Sequence, residues 1–168
     1  MLKNWRRALD FNLIWEGGWA ERENEPGGAV NKGVSLLAYK EWCAKMGRVE
    51  PSKWDLQNIS DKDVSEFYRQ RADQIGFDDL PSGYDLLMFN ASTMQGVTGA
   101  KELDKIAKGD MGHFIALHMQ KKLDDPRSGW FTDTMTGRKH RFGPGWAKRL
   151  VAAYEAAKEL ADGDDKES

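Results

Sequence analysis

The sequence contains little cysteine, and its histidines are not spaced as metal ligands. A single cysteine, Cys43, excludes a disulfide framework and a cysteine-rich metal site. Because Cys43 lies between Trp42 and Ala44 in an amphipathic stretch, we expect a buried and unreactive thiol. His113 and His118 are five residues apart, which does not fit the i, i+4 spacing of a helical metal pair. We therefore expect no metal and no cofactor.

Long apolar runs are also missing from the chain. No segment approaches the roughly 18 to 20 apolar residues that a membrane-spanning helix needs. The first residues are basic, like the start of a signal peptide, but Asp10 and Asn12 interrupt the apolar run and no cleavage pattern follows. The sequence therefore predicts a soluble chain that is made in the cytoplasm without a signal peptide.

Neither sign of charge dominates, since the formal net charge is −2. This balance argues against a general nucleic-acid-binding protein. Residues 162–168 carry four acidic side chains and one lysine, which predicts a disordered acidic tail. Residues 120–149 carry eight lysines and arginines against three aspartates, and this basic region either faces an anionic polymer or is an ordinary solvated surface.

The chain is instead rich in aromatic residues, with seven tryptophans, seven phenylalanines and four tyrosines. Large flat side chains fill hydrophobic cores or line clefts in which sugars and bases stack. Helical patterning or a packing context predicts a core position for four of the tryptophans, namely Trp5, Trp42, Trp54 and Trp146. Trp15 and Trp19 flank Glu16 in the sequence. Trp130 lies in a polar connection, where it is either an exposed platform for sugar binding or a hydrophobic plug under the loop.

Apolar spacing and helix-end signals predict a mainly α protein, and 168 residues suit a single compact domain. The first helix ends at Gly17, because glycine adopts the left-handed conformation that follows many helices. A loop or small hairpin follows over 19–34, and Ser35 is expected to cap the second helix. Further helices are predicted over 60–75, 84–94, 98–108, 110–123 and 145–161, with a long surface connection over 124–143.

The segment around Glu16 is the most informative part of the sequence. A carboxylate in the last turn of a helix is unfavourable beside the helix dipole, and flanking tryptophans remove water from it. Both effects favour the protonated form that general-acid chemistry requires. Glu25 follows across a glycine-rich turn, and two carboxylates across a cleft are the minimum apparatus of a glycoside hydrolase. An exposed glutamate at a helix end, beside ordinary turn glycines, explains the same pattern.

The segments Glu16-Gly17-Gly18, Glu25-Pro26-Gly27-Gly28-Ala29 and Gly33-Val34-Ser35 resemble the N-terminal motif of glycoside hydrolase family 108. The usual form of that motif is Glu-Gly-Gly, followed by Asp-Pro-Gly-Gly-Ala-Thr-Asn-x-Gly-Ile-Thr. Further matches run in order from residue 9 to about residue 155. They include Phe67-Tyr68-Arg69, Asp79-Leu80-Pro81, Gly96 with Ala100, and Phe142-Gly143-Pro144-Gly145-Trp146 with Arg149, which is similar to a peptidoglycan-binding domain.

This resemblance implies a single lysozyme-like helical domain over 1–161, with a catalytic part (1–95), a helical peptidoglycan-binding-like part (96–161) and the tail at 162–168. It implies cleavage of the β-1,4 bond between N-acetylmuramic acid and N-acetylglucosamine, with Glu16 as the general acid. Glu25 takes the place of the family's aspartate, which positions water or stabilises the transition state. The predicted substrate-binding residues are Trp15, Trp19, Asn31, Ser35 and Trp130.

The chain departs from the family's pattern at several positions. Glu25 is one methylene longer than the usual aspartate, and Val30 replaces a threonine whose hydroxyl could hold the attacking water. Asn31 or Ser35 is a possible substitute for that hydroxyl. Asn90 and Met94 replace a usual aspartate and asparagine in a helix, which indicates a rearranged core there.

The resulting hypothesis is a bacteriophage endolysin, a monomeric muramidase that acts on peptidoglycan glycan strands after its release from the host cytoplasm. It is expected to bind no nucleic acid and to have no membrane span. Two alternatives remain open: a non-catalytic peptidoglycan-binding or virion protein on the same scaffold, and a lytic transglycosylase. A serine hydrolase is not supported, because the Gly-x-Ser-x-Gly motif is missing.

Overall fold

The computed structural model describes residues 4–21, 28–124 and 143–164, and nearly all regular structure in these ranges is helical. The α-helices are α1 (Trp5–Glu16), α2 (Leu36–Lys45), α3 (Lys53–Gln57), α4 (Asp61–Gln74), α5 (Tyr84–Ala107), α6 (Met111–Asp124) and α7 (Gly143–Asp164). A short 3-10 helix (Phe77–Asp79) precedes α5, and the strands β1 (Val30–Asn31) and β2 (Val34–Ser35) form a small antiparallel hairpin. The predicted mainly α class, with a hairpin after the first helix, is confirmed.

Residue contacts divide the chain into two compact units, Leu9–Asp73 and the combination of Met1–Ala8 with Gln74–Ser168. We call them the hairpin unit and the C-terminal unit. The functional division into parts 1–95 and 96–161 stays a prediction. No helix in the described part of the chain has both the length and the apolar character needed to cross a membrane.

Helix ends in the hairpin unit follow local sequence signals. Gly17, directly after α1, has a φ of +74°, as expected of a glycine that ends a helix. The hydroxyl of Ser35 accepts a hydrogen bond from the main-chain N–H of Ala38 at 3.2 Å, which confirms its capping role. Helix α3 was not predicted, although Ser52 and Asp55 form a capping box at its start.

The core of the hairpin unit is largely aromatic. Trp42 stacks on Tyr39 with the ring centroids 5.8 Å apart, and the edge of Phe67 meets Trp42 at 6.2 Å. Cys43 is buried as predicted, and this burial raises the pKa of its thiol. The predicted core position of Trp54 is wrong, since 69% of this residue is exposed. The short helix α3 buries Leu56 instead, because so short a helix turns only one narrow face inward.

In the C-terminal unit, Trp5 lies in the core as predicted, with its ring edge-on to Phe77 and Phe89. Trp146 is half-buried on α7. Helix α5 is interrupted at Gly96, whose φ of +83° and ψ of 162° are not helical. The predicted break at Gly96 is therefore confirmed, since the chain leaves helical geometry there between two helical segments of α5, and α6 and α7 both pack against α5.

A buried polar cluster in the same unit joins α5 to α7. Arg149 donates hydrogen bonds to Oδ1 of Asn90 at 2.7 Å and to the hydroxyl of Thr93 at 3.1 Å. The ring of His118 is fully buried nearby, and its nitrogens have no hydrogen-bond partner among the described residues. Burial, together with the positive charges of Lys122 and Arg149, lowers the pKa of His118 to about 3. The position of Asn90 thus serves the fold, as the sequence comparison with the family indicated.

Candidate active site

Glu16 occupies the last position of α1, where the chain leaves the helix through Gly17. Its side chain is half-buried, so the carboxyl group lies at the boundary between the hairpin unit and solvent. A carboxylate at a helix C-terminus faces the negative end of the helix dipole. The predicted position of Glu16 at the end of a helix is therefore present, and its role as a general acid stays a prediction.

The β1–β2 hairpin follows α1 along the chain and has a two-residue turn. Val30 pairs with Ser35 and Asn31 pairs with Val34, which leaves Lys32 and Gly33 in the turn. Their φ values of +49° and +77° are both left-handed, as in a type I′ turn. Glycine adopts this conformation without strain, whereas Lys32 pays about 1–2 kcal/mol for it. Surrounding contacts must therefore hold the turn in place.

The turn lies directly against the carboxyl group of Glu16. A Cβ atom at Gly33 would stand 2.8 Å from both Cγ and Oε2 of Glu16, and would also overlap the hydroxyl of Tyr68. Real side-chain carbons essentially never approach so closely, so only glycine permits this packing. Gly33 thus has two independent reasons to be glycine: its left-handed backbone and its contact with Glu16.

Tyr68 fixes the turn from the side of α4. Its ring is buried, and its hydroxyl donates a hydrogen bond of 2.9 Å to the main-chain oxygen of Lys32. The ammonium of Lys32 also forms an ion pair of 2.7 Å with Asp61 at the start of α4. Because that pair is largely exposed, it contributes little, and the buried tyrosine is the stronger constraint.

Asn31 and Ser35, which were predicted to bind substrate, both make contacts that support the fold. The side-chain amide of Asn31 donates to the main-chain oxygens of Leu56 at 3.0 Å and Gln57 at 2.9 Å, which ties β1 to α3. The hydroxyl of Ser35 caps α2. These contacts give each residue a structural role, and a role in substrate binding stays a prediction.

The tryptophans that flank Glu16 are neither core residues nor fully exposed. Both Trp15 and Trp19 are half-buried, and the ring of Trp15 lies 6.3 Å from that of Phe11. Ala20, next to Trp19, forms a β-bridge with Val30, so the segment after α1 runs beside β1. The predicted residues Glu25 and Trp130 lie outside the described ranges.

Sequence reasoning missed the parts played by Gly33, Lys32 and Tyr68. Gly33 belongs to the recognised motif, and its place in an Asn-x-Gly run was a signal for a tight turn. Tyr68 was assigned only to a helix, because 36 residues separate it from its partner Lys32. Within the described ranges, no three histidine, cysteine or acidic side chains are grouped as a metal site would require.

Comparisons with known proteins identify the fold and the family of the chain. The structure of SagA from Brucella abortus has a TM-score of 0.71 and 20% sequence identity, over 96% of this chain and 97% of that one. At this identity the likeness concerns the fold alone, which is mainly α in this chain. Residues 9–96, more than half of the chain, match the family described as Glycosyl hydrolase 108. The chain belongs to that family, while no curated protein matches it.

Proposed function

We propose that the protein is a muramidase that hydrolyses the β-1,4 bond between N-acetylmuramic acid and N-acetylglucosamine, with Glu16 as the general acid. One observation carries the proposal. The chain belongs to glycosyl hydrolase family 108, and Glu16 at the end of α1 lies against Gly33 in the turn of the β1–β2 hairpin, so closely that no larger residue fits there. A carboxyl group fixed in this way is prepared to deliver a proton in one direction.

Hydrolysis requires a proton on the leaving oxygen and stabilisation of the positive charge that develops on the sugar carbon. Glu16 supplies the proton, and a positioned general acid typically contributes about 10²- to 10⁴-fold in rate. We assign the second part to Glu25, which positions the attacking water or faces the oxocarbenium-like transition state. Val30 replaces the family's threonine, and we assign the contact that its hydroxyl would make with the attacking water to Asn31 or Ser35.

Sugar binding is assigned to aromatic residues near the acid. Trp15 and Trp19 flank Glu16 in the sequence and are half-exposed, and a sugar ring stacks on such aromatic surfaces through its C–H groups. Trp130 is a further candidate platform. The 96–161 part is proposed to hold the protein on peptidoglycan, and the whole chain acts as a monomeric phage endolysin once it is released to the wall.

The test is loss of turbidity of purified peptidoglycan with the wild type, Glu16→Gln and a matched control, Glu41→Gln. Glu41 is an exposed glutamate of α2 in the same unit. We expect Glu16→Gln to lower the lysis rate by about 10²-fold or more, because the amide has no proton to deliver, while Glu41→Gln keeps the wild-type rate. Undiminished lysis by Glu16→Gln would contradict the assignment of the acid.

A second candidate function is supported by Val30. It lies in β1 directly opposite Ser35, where the family pattern has a threonine, so the hairpin lacks that hydroxyl. A wild-type protein that binds peptidoglycan without lysing it would select the non-catalytic wall-binding or virion role. Mass analysis of the released sugars separates the remaining chemistry, because a 1,6-anhydro end identifies a lytic transglycosylase and a reducing end a hydrolase.

A further inference from the structure

The hydroxyl of Tyr68 and the carboxyl group of Glu16 meet at the same face of Gly33. A Cβ atom at Gly33 would lie less than 3.0 Å from the hydroxyl oxygen of Tyr68 and also from Oε2 of Glu16, so these two oxygens are less than 6 Å apart. All three residues belong to the hairpin unit, on α4, the turn and α1. Support of the turn uses only one of the hydrogen bonds that a phenol can form. The approach to Glu16 therefore needs an explanation of its own.

The proton of the Tyr68 hydroxyl is directed at Lys32. The hydroxyl oxygen lies 2.9 Å from the main-chain oxygen of Lys32, and a carbonyl oxygen can only accept. Tyr68 must therefore be the donor in this bond, and a phenol has a single proton to donate. The lone pairs of its oxygen remain, and they can only accept. A group that approaches the hydroxyl across the face of Gly33 consequently meets an acceptor.

The two protonation states of Glu16 respond differently to this acceptor. A protonated carboxyl group has one O–H donor, whereas a carboxylate has acceptors alone. The last torsion of a glutamate side chain is soft, so the carboxyl group can turn one oxygen towards Tyr68. The protonated form then gains a hydrogen bond, while the carboxylate brings lone pairs against lone pairs. A bond that only the neutral form makes stabilises that form.

Charged side chains on the elements around Glu16 also act on its protonation. They are Lys32 in the turn, Asp10 on α1, Glu21 after it, and Asp61, Lys62, Asp63, Glu66, Arg69, Arg71 and Asp73 on α4. Several pair among themselves, such as Lys32 with Asp61 at 2.7 Å and Arg69 with Asp73 at 2.7 Å. Replacement of Tyr68 by phenylalanine changes none of these charges, nor Glu25. A comparison of that variant with the wild type therefore isolates the hydroxyl.

We propose that Tyr68 is a positioning residue for the acid: its oxygen accepts the acidic proton of Glu16 and keeps the carboxyl group protonated until substrate arrives. The inference rests on the proposed function, in which Glu16 is the general acid. The leaving glycosidic oxygen then replaces Tyr68 as the acceptor and takes the proton as its bond to the sugar carbon breaks, which leaves Glu16 as a carboxylate. Tyr68 keeps its own proton on the Lys32 carbonyl and does not enter the reaction.

The first experiment compares the pH dependence of lysis for the wild type, Tyr68→Phe and a matched control, Tyr39→Phe. Tyr39 is a buried tyrosine of α2 in the same unit, and its hydroxyl forms a hydrogen bond with Cys43. At limiting peptidoglycan, the alkaline limb of the rate profile reports the acid of the free enzyme. We expect this limb to move to lower pH by about half a unit to one unit in Tyr68→Phe, because one hydrogen bond to the protonated form is lost. Tyr39→Phe should keep the wild-type profile.

The direction of the change decides between the roles of Tyr68. An unmoved limb in a folded Tyr68→Phe protein would reduce Tyr68 to a support of the turn. A limb that moves to higher pH would mean that Tyr68 donates to the carboxylate. Either result would overturn the proposal.

A second experiment uses the unaltered protein, so it does not depend on whether a variant folds. In a ¹³C NMR titration, the signals of the Glu16 carboxyl carbon and of Cζ of Tyr68 should change with one common midpoint, because protonation of Glu16 creates the bond. Cζ of Tyr39 should not follow that midpoint. In Tyr68→Phe, the Glu16 signal should change at a pH about half a unit to one unit lower. A Tyr68 signal that is indifferent to the titration of Glu16 would refute the hydrogen bond.

The NMR titration also separates this inference from the proposed function, because it requires no lysis. A wild type that shows the common midpoint but does not lyse peptidoglycan would support the bond between Tyr68 and Glu16 and contradict the muramidase. Loss of lysis in Glu16→Gln, together with a Tyr68→Phe protein that titrates like the wild type, would refute the role of Tyr68 alone.

Discussion

Replacement of Gly33 by alanine tests the contact on which the candidate active site depends. At a φ of +77°, an L-residue costs about 1–2 kcal/mol relative to glycine. The added Cβ would also stand 2.8 Å from Cγ and Oε2 of Glu16 and would overlap the hydroxyl of Tyr68. Forced overpacking of this kind costs about 1–3 kcal/mol. We therefore expect Gly33→Ala to lower the free energy of unfolding by about 2–5 kcal/mol.

Gly47→Ala is the matched control for this substitution. Gly47 lies in the same unit with a φ of +66°, but a Cβ there would meet no described atom within 4 Å. It shares the cost of the left-handed backbone and lacks the collision. Urea unfolding, followed by tryptophan fluorescence, should show Gly33→Ala less stable than Gly47→Ala by about 1–3 kcal/mol.

The same pair of variants tests the effect on activity. If the turn of the hairpin relaxes by moving the Glu16 side chain about 1 Å, the proton is misdirected and the lysis rate falls by about 10²-fold. The turbidity assay is run where unfolding curves show both variants to be folded. A Gly33→Ala protein that is as stable as Gly47→Ala, and that lyses peptidoglycan at the wild-type rate, would refute the proposed packing.

Three further predictions concern buried polar groups. Tyr68→Phe loses the hydrogen bond to Lys32 and should lower the free energy of unfolding by about 1 kcal/mol. It should also lower kcat by a larger factor than it changes KM, and unchanged values of both would exclude a positioning role. Burial, followed by the charges of Lys122 and Arg149, lowers the pKa of His118 from 6.5 to about 3 in the folded protein. Between these two pH values the unfolded chain binds a proton at His118 and the folded protein does not, so the free energy of unfolding should fall by about 2 kcal/mol from pH 8 to pH 5. His118→Leu should remove this part of the pH dependence of urea unfolding, and an unaltered slope would contradict it. Arg149→Met removes the donor to the buried oxygen of Asn90 and to the part-buried hydroxyl of Thr93, and it should lower the free energy of unfolding by about 3 kcal/mol in the same assay. A loss below about 1 kcal/mol would show that these bonds contribute little.

The sequence by itself determined the helical class, several helix boundaries and the family. Gly17 ends α1, Ser35 caps α2 and Gly96 interrupts α5, each as predicted. These features depend on residues within one or two turns of each other, through a left-handed glycine or a hydrogen bond from a capping side chain. A linear motif likewise identified the family, because its glycines and acids follow each other along the chain.

Only the tertiary structure decided which residues surround Glu16 and which surfaces are covered. Tyr68 reaches Lys32 across 36 residues, and Arg149 reaches Asn90 across 59, so no local pattern indicates either contact. Gly33 was visible as a turn glycine, but its contact with Glu16 was not. Trp54 shows the same limit in reverse, because the sequence predicted a core position for a residue that is 69% exposed on α3. Which face of a helix is buried depends on what packs against it, and that is settled only when distant segments meet.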